Sequence, residues 1–102
     1  MFFKREDINA GAAVCRETPG ALLLDVRQPE EFQSGHIPGA VNLPLSRIGE
    51  ARFDKDTPIF GYCLRGSRSR RAAGALARMG YTKVRSIGGI ARYRGELERG
   101  SL

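Results

Sequence analysis

A cysteine lies in a strongly basic stretch, Tyr62–Arg71, which reads YCLRGSRSRR and holds one cysteine, one glycine, two serines and four arginines. Neighbouring cations favour the thiolate and lower the pKa of a cysteine from its usual value of about 8.5. The same positive potential attracts an anionic substrate. These residue types therefore indicate a cysteine nucleophile acting on an anion. The alternative is an unreactive buried cysteine, because free cysteines are among the most buried residues.

The hydrophobic pattern places Cys63 at the end of a strand, Thr57–Cys63, followed by a loop over Leu64–Ser67. The clearest helix is expected over Arg70–Met79, where apolar residues share one face. Ligands of open α/β sheets bind outside the carboxyl ends of the strands. A tight loop entering a helix also points backbone N–H groups into one concavity, and Gly66 permits such a turn. We therefore expect an anion site here.

The rest of the chain alternates short strands with helices, which predicts an α/β fold with a parallel sheet covered on both faces. We expect helices over Arg5–Arg16, from Pro29 to Gly35, over Leu45–Phe53 and over Ile90–Leu97. We expect strands over Ala21–Val26, Ala40–Leu43 and Val84–Ile87, with turns at His36–Gly39 and Gly88–Gly89.

Length and composition suit one domain over residues 1–102, because 41% of the residues are hydrophobic and 27% are charged. No apolar run approaches the roughly 20 residues of a membrane span. Charges from Lys4 to Asp7 interrupt the apolar start, so we expect a cytoplasmic protein without a secretory signal. Two cysteines, Cys15 and Cys63, and one histidine, His36, make a zinc site or a disulfide framework improbable.

The positive charge is concentrated in one part of the chain. Residues 1–60 carry seven Lys or Arg and nine Asp or Glu, whereas residues 61–102 carry ten Lys or Arg and two Asp or Glu. This asymmetry predicts an anionic partner, either a small anion or a nucleic acid. Nucleic acid is not expected, because no recognition motif is present and the aromatic residues are too sparse for a stacking platform.

Three kinds of anion-binding loop fit this stretch to different degrees. Residues 61–66 give G-x-x-x-x-G, but Ser67 and Arg68 follow where a nucleotide P-loop requires Lys and then Ser or Thr. A cysteine phosphatase with a Cys-x5-Arg loop would need arginine at position 69, where this chain has Ser69. The third kind is a shorter sulfur-transfer loop, which would surround a cysteine persulfide.

Four blocks of sequence, in order, resemble the rhodanese family of sulfurtransferases. They are LLLDVRQPEEFQSGHIPGAVNLPL at residues 22–45, YCLRGSRS at 62–69, the helix end from Ala72 to Tyr81, and GGI at 88–90. The resemblance implies a rhodanese-like fold with a five-stranded, mainly parallel sheet flanked by helices on both faces. It also implies no metal and no organic cofactor.

The resemblance implies that Cys63 takes a sulfane sulfur from thiosulfate or a similar anionic donor and passes it, as a persulfide, to cyanide or a thiol. The acceptor could also be an acidic protein. The backbone N–H groups of Leu64–Ser69 would hold the negative charge, and Arg65 and Arg68 would bind the donor. The implied substrate-binding residues are thus Leu64, Arg65, Gly66, Ser67, Arg68 and Ser69. The alternatives are a non-catalytic recognition or sulfur-carrier module and a cysteine phosphatase.

Three other polar residues are interpreted as structural. Asp25 ends a strand, so we expect Asp25 and Arg27 to support the loop through hydrogen bonds or an ion pair. The resemblance makes His36 a scaffold residue, and a cysteine that is already ionised needs no histidine base. We expect Cys15, in an alanine-rich helix, to pack in the core.

Overall fold

The computed structural model describes residues 6–100, which fold around one parallel sheet. The strands are β1 (Leu22–Asp25), β2 (Val41–Asn42), β3 (Ile59–Cys63) and β4 (Val84–Gly89). The α-helices are α1 (Ile8–Glu17), α2 (Pro29–Ser34) and α3 (Ser67–Arg78), and two 3₁₀ helices span Leu45–Glu50 and Ile90–Arg92. Helices thus alternate with the strands, as the sequence pattern predicts.

The strand order is β2-β1-β3-β4, and all three pairings are parallel. All five residues of β3 are buried, which agrees with a central strand of a sheet covered on both faces. The expectation of a five-stranded sheet is wrong for residues 6–100, where the sheet has four strands. Outside the named strands, His36 and Glu98 form an isolated antiparallel bridge, which is too short to count as a fifth strand.

The core has two layers because successive side chains of a strand point to opposite faces of the sheet. One layer joins α1, α2 and the second 3₁₀ helix to the sheet through Ile8, Cys15, Leu23, Phe32, Ile37, Ala40, Phe60, Tyr62, Ile87 and Ile90. The other joins α3 and the first 3₁₀ helix to the opposite face through Leu24, Val26, Ile48, Ala51, Ile59, Cys63, Ala72, Leu76 and Tyr81. Cys63 therefore points toward α3.

Helix α3 begins at Ser67, three residues before the expected start at Arg70. The expectation was wrong because the helix begins with the polar run SRSRR, which carries no apolar stripe. Helix α1 begins at Ile8, where Asp7 caps it by accepting hydrogen bonds from the backbone N–H groups of Asn9 and Ala10. The expected start of that helix at Arg5 lies outside the described residues.

Two further expected helices are shorter and tighter than the sequence pattern suggests. The helix expected over Leu45–Phe53 is a 3₁₀ helix that ends at Glu50, with non-helical backbone at Arg47. The helix expected over Ile90–Leu97 ends at Arg92. The side chain of Asn9 donates to the carbonyl of Arg92 and accepts from the N–H of Arg94, so these backbone groups are bound outside a helix.

The prediction of a turn at Gly88–Gly89 is also wrong, because both glycines belong to the end of β4. Gly88 has a φ of 108°, a backbone conformation that glycine adopts without strain. Among the described residues, no helix is long and apolar enough to cross a membrane.

Candidate active site

The cysteine loop, defined here as Cys63–Ser69, joins the carboxyl end of β3 to the first turn of α3. Gly66 precedes the helix with a left-handed φ of 105°, a conformation that residues with a Cβ rarely adopt. The turn at Gly66 folds the loop back over the cysteine. The carboxyl end of a parallel strand and the amino end of a helix therefore meet at one sulfur atom.

The Cys63 sulfur is the point on which the hydrogen-bond donors of the cysteine loop converge. The N–H of Gly66 lies 3.0 Å from Sγ, and the N–H of Ser69 lies 3.4 Å from it. The Ser69 hydroxyl oxygen is 3.6 Å from Sγ. Cys63 is only 1% exposed, so these groups stand in for the water that would otherwise solvate a thiolate.

Two opposing influences set the pKa of the Cys63 thiol. Burial raises it and is the largest single influence, but hydrogen bonds from the Ser69 hydroxyl and from the N–H groups of Ser69, Gly66 and Arg65 together outweigh burial, so that the pKa is lowered. Cys15 provides the contrast. It is also buried, and burial, which outweighs the opposing influence of the Arg16 charge, raises the pKa of its thiol. The loop geometry therefore favours Cys63 as the nucleophile.

Ser69 connects the cysteine to β4. Its hydroxyl lies 2.7 Å from the hydroxyl of Ser86 and 3.0 Å from the carbonyl oxygen of Gly66. Ser69 is fully buried, and Ser86 is half-buried. The sequence did not identify Ser86 as a site residue, and the only signal was a hydroxyl on the strand expected over Val84–Ile87.

The two arginines expected to bind the donor have different surroundings. Arg68 is half-buried and forms an ion pair with Glu31 of α2, with Nη1–Oε1 and Nη2–Oε2 distances of 2.7 Å and 3.0 Å. Arg65 is exposed, as are Leu64 and Ser67. The assignment of the residues from Leu64 to Ser69 to substrate binding stays a prediction. Glu31, which the sequence did not identify as a site residue, holds Arg68 in place.

Asp25 and Arg27 form a buried ion pair at the end of β1. Arg27 Nη2 lies 2.7 Å from Asp25 Oδ2, and the side chains are 6% and 0% exposed. Arg27 also donates to the carbonyl of Gly35, and Asn42 donates to the carbonyls of Asp25 and Arg27. In the part of the chain that the structure describes, no buried side-chain nitrogen or oxygen lacks a hydrogen-bond partner, which is what makes a buried pair tolerable. The pair thus braces the strand next to β3.

His36 lies in the scaffold and not in the cysteine loop. Its Nδ1 lies 2.8 Å from the carbonyl of Phe32, and its ring stacks on the Phe32 ring with centroids 3.7 Å apart. Within residues 6–100, no group of three or more His, Cys, Asp or Glu side chains is placed to hold a metal ion.

The end of β4 and the residues after it pack against the backbone of the cysteine loop. The carbonyl of Leu64 accepts a hydrogen bond from Ala91, and a Cβ at Gly89 would lie 2.1 Å from that same carbonyl oxygen. Only glycine allows this close approach of two backbones. The GGI block therefore contributes backbone contacts to the loop and no reactive side chain.

Comparison with known proteins finds relatives over most of the chain. Residues 11–96 match the family model of the rhodanese-like domain. The uncharacterized protein YqhL of Bacillus subtilis (strain 168) is 40% identical over 81 residues, which cover 76% of this chain and 64% of YqhL. The thiosulfate sulfurtransferase PspE of Escherichia coli (strain K12) is 42% identical over 71 residues, which cover 66% of this chain and 68% of PspE.

A solved structure described as rhodanese with anions from E. coli superposes with a TM-score of 0.70 at 34% identity. The superposition covers 78% of this chain and 99% of that one. The chain therefore belongs to the rhodanese-like family, which includes thiosulfate sulfurtransferases such as PspE.

Proposed function

We propose that this protein is a sulfurtransferase that moves a sulfane sulfur from thiosulfate, or a similar anionic donor, to cyanide or a thiol through a persulfide on Cys63. The observation that carries the proposal is the convergence of the N–H groups of Gly66 and Ser69 on Sγ, at 3.0 Å and 3.4 Å. An ionised sulfur is needed both to attack the donor and to carry the transferred atom. The lowered pKa of Cys63 supplies the first requirement.

The reaction balances without a cofactor. The Cys63 thiolate attacks the outer sulfur of thiosulfate, a new S–S bond forms, and the S–S bond of thiosulfate breaks to release sulfite. The persulfide keeps one negative charge, which the N–H groups of the cysteine loop hold. Cyanide then attacks the outer sulfur, leaves as thiocyanate, and regenerates the thiolate. The two half-reactions predict ping-pong kinetics.

Exposed positive charge supports an anionic donor. Arg65 lies exposed in the cysteine loop, and the related E. coli rhodanese structure contains anions. Exposed Leu64 and Arg71 also lie in or next to the loop. A surface of this kind suits an acceptor protein that presents an acidic segment beside its thiol.

A steady-state assay with thiosulfate and cyanide tests the proposal. We expect thiocyanate formation, parallel double-reciprocal plots, loss of turnover in Cys63→Ser and unchanged turnover in Cys15→Ser. Full turnover in Cys63→Ser would contradict the proposal. Hydrolysis of an aryl phosphate that is lost in the same variant would instead support a phosphatase, and absence of both activities would favour a recognition or carrier module.

A further inference from the structure

The Ser69 hydroxyl has one proton and three possible acceptors. Its oxygen lies 3.0 Å from the Gly66 carbonyl, 2.7 Å from the Ser86 hydroxyl and 3.6 Å from Cys63 Sγ. A carbonyl only accepts, whereas a hydroxyl both donates and accepts, and a thiol donates its own proton. Which acceptor receives the Ser69 proton therefore depends on whether the sulfur is protonated.

When Cys63 is a thiol, the S–H can donate to the Ser69 oxygen, and the Ser69 hydroxyl can donate to the Gly66 carbonyl. A thiolate or a persulfide has no proton to donate and needs a donor instead. The Ser69 hydroxyl can then turn toward sulfur and add a donor to the N–H groups of Gly66 and Ser69. The Gly66 carbonyl is not left unpaired by this rotation, because it also accepts from the N–H of Arg70 at 3.0 Å.

The Ser69 oxygen has two lone pairs, so it can accept a hydrogen bond while its proton points toward sulfur. Ser86 lies 2.7 Å away, and it is held there by the pairing of β4 with β3, in which Ser86 stands opposite Gly61. Among the described residues, Ser69 is the residue whose side chain forms a hydrogen bond with the Ser86 hydroxyl. The hydroxyl of Ser86 is thus positioned to donate to that oxygen while the Ser69 proton is directed to sulfur.

We propose that Ser86 is a positioning residue that donates a hydrogen bond to Ser69 and so directs the Ser69 hydroxyl onto the sulfur of Cys63 in its anionic forms. We call this chain of hydrogen bonds from Ser86 through Ser69 to Cys63 the relay. It deepens the function proposed above, and its role in sulfur transfer rests on that proposal. Hydrogen bonds in such a chain polarise one another, so the second hydroxyl strengthens the bond that the first makes to sulfur. Removing Ser86 should therefore make the Cys63 thiolate less stable.

The ionisable groups on the elements around Cys63 are the same in every variant at position 86. They are Arg65, Arg68 and Arg70 from the cysteine loop and α3, Glu31 from α2, Asp25 and Arg27 at the end of β1, Tyr62 from β3, Arg85 from β4, and Glu6, which pairs with Arg70. A change in cysteine ionisation between variants at position 86 therefore reports the hydroxyl, provided that the fold is kept.

The test is the pH dependence of Cys63 alkylation by iodoacetamide, measured by intact mass in a Cys15→Ser background so that one thiol reacts. We expect the midpoint to rise by about one pH unit in Ser86→Ala, which is a tenfold loss of thiolate. Ser46→Ala, at an exposed serine in the first 3₁₀ helix, should leave the midpoint unchanged. An unchanged midpoint in Ser86→Ala would overturn the relay.

A second pair of variants keeps the test decisive if Ser86→Ala unfolds. Ser86→Thr keeps the hydroxyl. Ser86→Val has the same shape as Ser86→Thr but carries a methyl group in place of the hydroxyl, and both threonine and valine favour strands. We expect a midpoint near that of the parent for threonine and a raised one for valine. Equal midpoints for the two would refute the relay.

The same measurement separates action through Ser69 from a direct effect on the cysteine. In a Ser69→Ala background, Ser86→Ala should cause no further shift, whereas additive shifts would show that Ser86 does not act through Ser69. Alkylation uses neither thiosulfate nor cyanide. Failure of the relay is therefore distinguishable from failure of the proposed sulfur transfer.

Discussion

Arg68 and Glu31 form a two-pronged ion pair that ties the first turn of α3 to α2, with N–O distances of 2.7 Å and 3.0 Å. Glu31 also accepts from the N–H of Gln28, so one carboxylate joins both helix starts. Arg68 thus has an anchoring role in addition to any role toward a donor. The cysteine loop is held at both ends, by this pair at Arg68 and by Gly89 beneath Leu64.

The ion pair predicts an acid-shifted titration of Glu31. Its hydrogen bonds with Arg68 are the largest influence and lower the pKa of Glu31 to about 2. A lowered pKa means that the pair stabilises the fold fully above pH 4.5, the ordinary value, and that this stabilisation is lost as the pH falls toward 2. The half-exposed setting limits the stabilisation to about 1 kcal/mol.

Carboxyl NMR titration of Glu31 checks this prediction. In Arg68→Ala the pKa of Glu31 should return toward its ordinary value of 4.5, and in the matched control Arg71→Ala it should stay low. An ordinary pKa in the parent protein would show that the ion pair does not form in solution.

Arg65 is the exposed cation of the cysteine loop, so Arg65→Ala should weaken capture of thiosulfate. We expect the KM for thiosulfate to rise by about three- to tenfold at low ionic strength, with a smaller rise at high salt, because salt screens exposed charges. Arg78→Ala, at the far end of α3, is the matched loss of one charge and should leave KM unchanged. Equal KM values in both variants would show that the position of Arg65 is incidental.

Gly89→Ala should damage the cysteine loop, because its Cβ would lie 2.1 Å from the Leu64 oxygen and 2.5 Å from the Arg65 Cα, both backbone atoms. Such overpacking costs about 1–3 kcal/mol of unfolding free energy. The control is Gly74→Ala in the interior of α3, where the nearest added contact is 3.5 Å and alanine should stabilise the helix by up to about 1 kcal/mol. Urea unfolding measures both, and equal stabilities would contradict the predicted close packing.

The sequence predicted the α/β fold class and the position of Cys63 at the end of a strand because both depend on local signals. The strand before Cys63 is a continuous apolar run, and Gly66 marks the turn. The start of α3 could not be read from the same signals, because SRSRR has no apolar period and its first turn is fixed by contacts with the sulfur. Ser86 and Glu31 were missed for a related reason. Their partners lie 17 and 37 residues away in sequence, and strand pairing and helix packing bring them together.

The expected five strands came from the resemblance and not from the local pattern, and residues 6–100 supply four. The two short 3₁₀ helices show the limit of apolar periodicity. A short apolar pattern cannot distinguish a 3₁₀ turn from an α-helix when a tertiary contact, such as that of Asn9 with Arg92, decides where the helix ends.

The central claim is that Cys63 carries the transferred sulfur, and intact mass spectrometry tests it most directly. The protein, Cys63→Ser and Cys15→Ser are each incubated with thiosulfate and weighed under non-reducing conditions. We predict the mass of one added sulfur atom on the parent and on Cys15→Ser, lost on addition of cyanide, and none on Cys63→Ser. Added sulfur that persists in Cys63→Ser, or that disappears only in Cys15→Ser, would contradict the claim.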